Sequence, residues 1–302
     1  MLGVSVVVST YTTERLHDVL RCLSSLKEQT VPPAEIILVL DPSDTLFRRY
    51  RSRVPSDIMV ISSDKVGLSY ARNVGIVKAE GEIVAFVDDD AIADKKWLEN
   101  LVRLYSDPLV MGAGGSVVAN WEVKQPKWFP EELNWIVGCS YKGLPTRRSA
   151  IRNPIGCNMS FRKKVFEKIG YFRLDIGRFG KKLLSKEETE LSIRVLKGIP
   201  HSKIIYEPQA IVYHNVSRNR ASLKYIWARS FYEGVSNDMI SLESKSARVT
   251  SAEASYLKYL IRVAIPSRLA RIYSFEAAAQ LLILTLSISA VFAGYLSSRL
   301  KR

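Results

Sequence analysis

The sequence predicts an α/β fold in which an open, mostly parallel sheet is flanked by helices and followed by a C-terminal helical tail at a membrane. Two observations predict the sheet: apolar runs alternate with segments of helical periodicity as far as Asp90, and each run is continuous. Continuous apolar strands are typical of parallel sheets that are buried on both faces. The third observation, a long apolar run near the C-terminus, predicts the tail.

The first part of the chain has the clearest pattern. Its apolar runs predict four buried strands at residues 4–9, 36–40, 58–61 and 83–87. Helical patterns between the strands cover residues 15–29 and 68–79. The prolines at 32 and 33 end the first helix, and Gly81 follows the second. Strands and helices in this order favour an open sheet with right-handed crossovers.

After Asp90 the alternation is less regular. Helical patterns cover residues 97–105, 162–169, 185–197, 221–237 and 256–273, and strand patterns cover 110–118, 204–205 and 210–213. Residues 125–152 are irregular. The serine-rich residues 241–251 mark the predicted junction between the main domain and the tail.

Composition and charge limit the classes of partner. The chain has 302 residues, of which 47% are hydrophobic and 25% charged, as in globular proteins. A net charge of +14 favours nucleic acid, an anionic membrane surface or phosphorylated substrates, and the charge does not choose among them. The three cysteines, Cys22, Cys139 and Cys157, are widely spaced and are interpreted as reduced buried thiols, neither a disulfide framework nor a zinc site.

Three adjacent carboxylates, Asp88–Asp90, directly follow the predicted strand at residues 83–87. Ligands of open α/β sheets bind beyond the carboxyl ends of the strands, where these side chains are expected to lie. Adjacent carboxylates repel one another unless a cation lies among them, and their oxygens suit Mg²⁺ or Mn²⁺ bridged to phosphates. The alternative interpretation of the motif alone is a solvated acidic turn.

The residues around this motif form a longer pattern, a G-x-x-x-A-R-N-x-G helix followed by G-E-x-[IV]-x-F-[LV]-D-D-D. Its positions are Gly67, Ala71, Arg72, Asn73, Gly75, Gly81, Phe86 and Asp88–Asp90. This pattern resembles that of the inverting family 2 glycosyltransferases, which have a GT-A fold with a Rossmann-like sheet. The resemblance covers roughly residues 3–235 and implies a nucleotide-sugar donor.

The resemblance also implies roles for particular residues on the donor side. The opening SVVVSTY is similar to the family's first strand and nucleotide-contacting loop, and LDPSD is similar to its second strand, where Asp41 would contact the uracil base. The implied donor-binding residues are Thr10, Tyr11, Glu14, Asp41, Gly67, Arg72, Asn73, Asp88 and Asp89. Arg72 is expected to neutralise Asp88 or a phosphate.

Further segments resemble the family's acceptor and metal sites. The segment IGCNMSFRKK is similar to the acceptor-side pattern, with Gly156 and Asn158, and KEETEL is similar to the segment that carries the general base. The base would be Glu188, a glutamate in place of the usual aspartate. The implied acceptor-side residues are Gly156, Asn158, Glu187 and Trp128, and the implied ligands of Mg²⁺ or Mn²⁺ are Asp88, Asp90 and His214.

The tail differs from the rest of the chain. Residues 275–296 are apolar enough for a transmembrane helix and would span roughly 33 Å at about 1.5 Å per residue. A buried or interfacial helix is the alternative. The expected organisation is a glycosyltransferase domain at residues 1–240 and a membrane-associated helical tail at 241–302. Because nucleotide sugars are cytosolic, the enzyme is expected at the cell membrane with its catalytic domain facing the cytoplasm.

The sequence thus predicts transfer of a sugar, from a UDP-sugar in the first instance, to a hydroxyl of a lipid-linked or polysaccharide acceptor. A neighbouring alternative is a polyprenyl-phosphate sugar synthase, which transfers to a lipid phosphate and for which a strong general base is less necessary. A basic membrane-surface or nucleic-acid-binding protein is the alternative from another class, and the sequence has no recognisable nucleic-acid-binding motif. Nucleic acid is therefore not an expected partner, and an inactive relative is disfavoured by the retained carboxylates and His214.

Overall fold

A computed structural model describes residues 2–177, 183–243 and 251–301. The chain forms two compact units. The first consists of Met1–Val118, Pro145–Gly180 and Glu187–Asn215, and the second of Ala119–Leu144, Lys181–Lys186 and Val216–Arg302. This division differs from the predicted boundary at residue 240, because residues 119–144 and 216–240 belong with the tail. Most of the serine-rich junction lies outside the described residues.

Nine strands of the described residues form one sheet. They are β1 (Val4–Thr10), β2 (Glu35–Leu40), β3 (Met59–Ser62), β4 (Ile83–Asp88), β5 (Ala91–Ala93), β6 (Val110–Trp121), β7 (Ser149–Ala150), β8 (Asn158–Arg162) and β9 (Lys203–Val216). Their order is β3-β2-β1-β4-β8-β6-β9-β5, and β7 pairs with β9.

The helices are distributed along the whole chain. They are α1 (Leu16–Lys27), α2 (Asp44–Arg51), α3 (Leu68–Lys78), α4 (Trp97–Val102), α5 (Lys163–Ile169), α6 (Glu187–Gly198), α7 (Leu223–Glu243), α8 (Ser251–Tyr259), α9 (Ile265–Leu269) and α10 (Phe275–Leu300). The predicted helix at residues 256–273 is divided into α8, a π-helical turn at Leu260–Ala264 and α9, which contains Pro266. Proline lacks the backbone N–H that would continue the helical hydrogen bonds.

The sheet is parallel in one half and antiparallel in the other. Strands β3, β2, β1 and β4 are parallel, as their continuous apolar patterns predict. Strand β8 is antiparallel to β4 and to β6, and β9 is antiparallel to β5 and β7. The α/β fold is therefore confirmed, but the sheet is mixed rather than mostly parallel.

The register of the parallel half brings the ends of its strands together. Thr10 of β1 lies opposite Leu40 of β2, and Ser9 lies opposite Asp88 of β4. Helix α3 packs closely on this half, since a Cβ added at Gly75 would lie 2.4 Å from Cγ1 of Val7. A larger residue at position 75 would push the helix away from the sheet. The carboxyl ends of β1, β2 and β4 thus share one edge.

In the second unit, helices α7 and α10 pack side by side and run in the same direction. A Cβ added at Gly234 would lie 1.9 Å from the carbonyl oxygen of Val291, so the two backbones touch at this glycine. The Oγ atoms of Ser230 and Ser287 are 2.8 Å apart. Small residues therefore allow a close helix pair. Among the described residues, α10 is long and apolar enough to cross a membrane, and 33% of its most apolar window is buried.

Candidate active site

The first group of polar residues lies at the shared edge of β1, β2 and β4. The backbone N–H of Asp41 donates to the carbonyl of Thr10 at 3.1 Å, and the Asp41 carboxylate accepts from the N–H of Gly67 at 3.4 Å. Partial burial raises the pKa of Asp41, and the Gly67 N–H lowers it. Tyr11 and Glu14 are exposed in the loop after β1. Four predicted donor-side segments therefore meet at one edge.

The three aspartates after β4 have different surroundings. Asp88 is partly exposed, whereas Asp89 and Asp90 are buried. Asp89 accepts from Nη1 of Arg15 at 2.6 Å, and Asp90 lies 3.1 Å from the same nitrogen. Burial raises the pKa of Asp89 to about 6, the positive charge of Arg15 lowers it and the negative charge of Asp90 raises it. Asp89 is thus paired with Arg15, and its predicted role in donor binding stays a prediction.

Arg15 is a site residue that the sequence reasoning did not identify. It occupies the N-cap position of α1 and makes no side-chain cap there. A cation is electrostatically unfavourable at a helix N-terminus, so an arginine at that position is a signal that another partner holds it. The partner is the Asp89–Asp90 pair. The guanidinium stays partly exposed, at 25% of its side chain, and can also reach an anion.

A second group of side chains could hold a metal ion. One ligand atom each from Asp88, Cys157 and His214 lie within 4.8 Å of one another. The Nε2 atom of His214 also lies 3.2 Å from Oδ1 of Asp90. Pairing of β5 with β9 places His214 opposite Ala91, directly after the aspartates. Carboxylate oxygens and an imidazole nitrogen discriminate less between Mn²⁺ and Mg²⁺ than a thiol does. The three ligands together therefore suit a divalent transition ion.

Arg72 connects the aspartates with the start of α6. Its guanidinium donates to Oε1 of Glu187 at 2.8 Å, to Oδ1 of Asp88 at 3.3 Å and to the carbonyl of Gly156 at 3.2 Å. The residue is only 3% exposed. A buried guanidinium needs such anionic and carbonyl partners, and its planar fork can serve several at once. Arg72 therefore holds two carboxylates in place rather than facing solvent as a free cation.

Glu188, the predicted base, lies in the first turn of α6 beside this network. A Cβ added at Gly156 would lie 3.4 Å from Nη2 of Arg72 and 3.9 Å from Oε2 of Glu188, so the glycine leaves the space between them open. Burial and then the charge of Glu187 raise the pKa of Glu188 to about 7, and Arg72 lowers it. A carboxylate with a pKa near 7 is suited to accept a proton at neutral pH.

Two residues with predicted binding roles are used inside the fold. The Asn73 amide donates to the carbonyl of Phe172 at 2.8 Å and accepts from its N–H at 3.0 Å. Glu187 is buried against Arg72 and Gly177. Both side chains have partners inside the fold, and their predicted donor and acceptor roles stay predictions.

Asn158 and Trp128 are the other residues with predicted acceptor roles. Asn158 is fully buried, where its amide donates to the carbonyls of Ser116 and Ala210 and accepts from Nε1 of Trp97 at 2.8 Å. These hydrogen bonds join strands inside the fold, and the predicted acceptor role of Asn158 stays a prediction. Trp128 belongs to the second unit, where its ring meets that of Phe129 edge to face. Its predicted acceptor role stays a prediction.

Comparison with known proteins agrees with this arrangement. The family described as glycosyl transferase family 2 matches residues 5–170. A glucosyl-dolichyl phosphate glucuronosyltransferase of Haloferax volcanii is 32% identical over 283 residues, which are 92% of this chain and 90% of that protein. The similarity therefore includes both compact units.

Solved structures show the same fold. A mannosyltransferase from Pyrobaculum calidifontis, in complex with GDP-Man and Mn²⁺, has a TM-score of 0.62 at 18% identity, covering 100% of this chain and 88% of that one. GalNAc-T7 with UDP, GalNAc and Mn²⁺ has a TM-score of 0.53 at 16% identity, covering 87% and 57% of the two chains. Both have the GT-A fold that the sequence predicted.

Proposed function

The chain belongs to glycosyl transferase family 2, and from this premise we propose that it transfers a sugar from a nucleoside-diphosphate sugar to a hydroxyl group of a lipid-linked saccharide, with inversion. The observation that carries the proposal is Arg72, which binds Asp88 on the donor side and Glu187, the neighbour of Glu188, on the other. One buried cation thus joins the donor-side carboxylate to the first turn of α6, which carries Glu188.

The donor side follows from the edge of the sheet. The ends of β1 and β2, with Thr10 and Asp41, would hold the nucleoside, and Asp41 favours a uracil base. Asp88, Asp90 and His214 would hold Mn²⁺ or Mg²⁺, which supplies Lewis-acid stabilisation to the leaving diphosphate. Arg15 remains partly exposed beside the aspartates and would add a further positive charge for the diphosphate.

The acceptor side depends on Glu188. A sugar hydroxyl keeps its proton at neutral pH, so the attacking oxygen needs a base that takes this proton as the bond to the anomeric carbon forms. Inversion requires that base on the face opposite the leaving group. A lipid phosphate is already ionised and would need no such base, which favours a hydroxyl acceptor over a polyprenyl phosphate. The name of the Haloferax volcanii relative supports a sugar linked to a lipid phosphate as acceptor and a glucuronosyl group as the first donor sugar to try.

Donor binding is expected to depend on a divalent ion and on Asp90. Titration of the purified chain with UDP-glucuronic acid, UDP-glucose, UDP-GlcNAc and GDP-mannose, with Mn²⁺ and then with chelator, measures this dependence. Chelation and Asp90→Asn should each weaken binding of the preferred donor by about 100-fold, because the ion that neutralises the diphosphate is lost or misplaced. Asp57→Asn is the matched control, since Asp57 is an exposed aspartate paired with Lys27.

Each result of that titration bears on the proposal. A preferred donor whose binding follows the ion supports the reaction class, and its base identifies the nucleotide. Equal binding of that donor with and without chelator would contradict the metal-assisted mechanism. If none of the four donors bound in the presence of Mn²⁺, nucleotide-sugar transfer with these donors would be rejected.

We further propose that the second unit attaches the enzyme to the cytoplasmic surface of the cell membrane, where nucleotide sugars are available. Helix α10 exposes apolar side chains along one side, at 68% for Leu282 and 62% for Phe292. Exposed basic residues precede it, among them Lys258, Arg262 and Arg271. An apolar helix face beside cations is typical of helices that lie in an anionic lipid interface.

The packing of α10 favours an interfacial position over a crossing one. Its other side lies along α7, whose Glu233 is paired with Lys186 at 3.0 Å and with Arg229 at 2.9 Å. Lys186 lies in irregular backbone before α6. If α10 crossed the bilayer, these charges and this irregular backbone would be drawn to membrane depth, where both are unfavourable.

Membrane attachment is expected to weaken when charge is placed on the exposed side of α10. Leu282→Glu with Phe292→Glu should release the protein from vesicles that contain anionic phospholipid, as measured by co-sedimentation. Val77→Glu, an equally exposed apolar residue of the first unit, is the control. Alkaline carbonate should extract the wild type from cell membranes. Retention in the carbonate pellet would contradict the interfacial position and favour a crossing helix.

A further inference from the structure

We propose that Cys157 supplies a sulfur ligand to the divalent ion. The site would then bind ions that accept sulfur ligands more tightly than it binds Mg²⁺. The inference rests on the proposed function, because it concerns the ion that assists sugar transfer. It adds a residue to the predicted set of Asp88, Asp90 and His214. The observation behind it is that Sγ of Cys157 shares one small volume with ligand atoms of Asp88 and His214.

The distances agree with a common ion. Bonds of about 2.3 Å to sulfur and about 2.0–2.1 Å to nitrogen or oxygen place two ligand atoms of one ion at most about 4.4 Å apart. The three ligand atoms here lie within 4.8 Å of one another. Side-chain movements of less than about 1 Å would therefore bring all three ligand atoms into one coordination shell.

The backbone on both sides of Cys157 is fixed, which holds the thiol at this position. The carbonyl of Gly156 accepts from Nη2 of Arg72 at 3.2 Å. The side chain of Asn158 makes the buried hydrogen bonds that join it to Ser116, Ala210 and Trp97. Cys157 itself is 3% exposed. A ligand held by rigid neighbours binds an ion with little loss of conformational freedom.

The other two cysteines provide a contrast. Cys22 and Cys139 are also buried. Cys139 lies in the second unit, where its Sγ is 3.8 Å from the carbonyl of Val137. Among the described residues, neither Cys22 nor Cys139 belongs to a group in which a thiol, a carboxylate and an imidazole could hold one metal ion. Cysteines are usually buried, so burial does not distinguish Cys157. What distinguishes it is that its thiol lies beside ligand atoms of Asp88 and His214.

Sulfur coordination has a defined chemistry. The ion displaces the thiol proton to solvent, one S–H bond is replaced by one sulfur–metal bond, and no electron is transferred. Mg²⁺ prefers oxygen ligands, whereas Co²⁺ and Zn²⁺ accept thiolate readily and Mn²⁺ lies between them. A sulfur ligand would therefore widen the preference for Co²⁺ and Zn²⁺ over Mg²⁺ beyond that of a site built of carboxylates and imidazole alone.

Cobalt titration of the purified full chain tests the assignment. The wild type should develop the near-ultraviolet sulfur-to-cobalt charge-transfer absorption as Co²⁺ binds, and Cys139→Ser should develop it equally. Cys157→Ser should lose this band while it still binds Co²⁺ by calorimetry. Its preference for Co²⁺ over Mg²⁺ should fall by about 10-fold or more.

The outcomes separate this inference from the proposed function. Co²⁺ binding without the charge-transfer band in the wild type, or a band that persists in Cys157→Ser, would overturn the sulfur ligand and leave metal-assisted transfer intact. If the wild type bound neither Co²⁺ nor Mn²⁺ in the presence of UDP, both the metal-assisted mechanism and the sulfur ligand would be rejected.

Discussion

Replacing Glu188 with glutamine is expected to slow sugar transfer by about 10²–10⁴-fold, because glutamine keeps the size of the side chain and cannot accept a proton. Donor binding should stay close to that of the wild type, since Glu188 acts on the acceptor. The measurement is kcat for transfer to a lipid-linked sugar together with the Kd of the nucleotide sugar. Glu167→Gln, an exposed glutamate of α5, serves as the control.

The same residue predicts the pH dependence of the reaction. Burial and the charge of Glu187 raise the pKa of Glu188 to about 7, so its base form is scarce below that pH and predominates above it. The transfer rate of the wild type should therefore rise as pH increases through about 7. The residual rate of Glu188→Gln should lack this step. A variant that kept both the wild-type rate and the step would show that another group takes the proton.

Glu188→Gln also separates two acceptor classes. Transfer to a hydroxyl should fail in this variant, whereas transfer to a polyprenyl phosphate should survive because that oxygen is already ionised. Assaying both acceptors with one enzyme preparation therefore distinguishes the proposed function from its neighbouring alternative. Wild-type transfer to a polyprenyl phosphate and none to a hydroxyl acceptor, at a rate that Glu188→Gln keeps, would identify a polyprenyl-phosphate sugar synthase.

The parallel half of the fold was predictable because its signals are local. A strand buried on both faces needs a continuous apolar run, as in β1, β2 and β4, and such runs are visible without any tertiary information. Helix α2 was missed for the opposite reason. Only Leu46 and Tyr50 of Asp44–Arg51 are buried, and a short polar segment after a motif resembles a loop. The direction of β8 was not predictable either, because strand pairing depends on residues distant in sequence.

The site was predictable to the extent that chemistry-bearing residues occur in spaced motifs. Asp88, Arg72 and Glu188 were found in this way, and the structure brings them together. A motif does not show which way a side chain points, so Asn73 was assigned to the donor although it binds the backbone of Phe172. Cys157 was interpreted only as a buried reduced thiol, because nothing in its own sequence neighbourhood indicates a distant histidine.

Replacing Arg72 with glutamine is expected to have the second large effect, on both stability and rate. Its guanidinium is the buried cation between Asp88 and Glu187, and its loss leaves the buried carboxylate of Glu187 uncompensated, at a cost of about 3–5 kcal/mol in the free energy of unfolding. Thermal or urea unfolding measures this loss. Arg72→Lys should recover it in part, because a single ammonium cannot reach all three partners of the fork.

The effect on rate distinguishes Arg72 from an ordinary structural arginine. Its positive charge lowers the pKa of Glu188, so its removal raises that pKa and moves the rising limb of the pH–rate profile to higher pH. Arg194→Gln provides the matched control, since Arg194 is an α6 arginine that pairs with Glu190 and binds carbonyls of the preceding loop. It should lose stability without a shift in the profile. If Arg72→Gln also lost stability alone, with an unmoved profile and an unchanged kcat, Arg72 would be a structural residue with no part in setting the base.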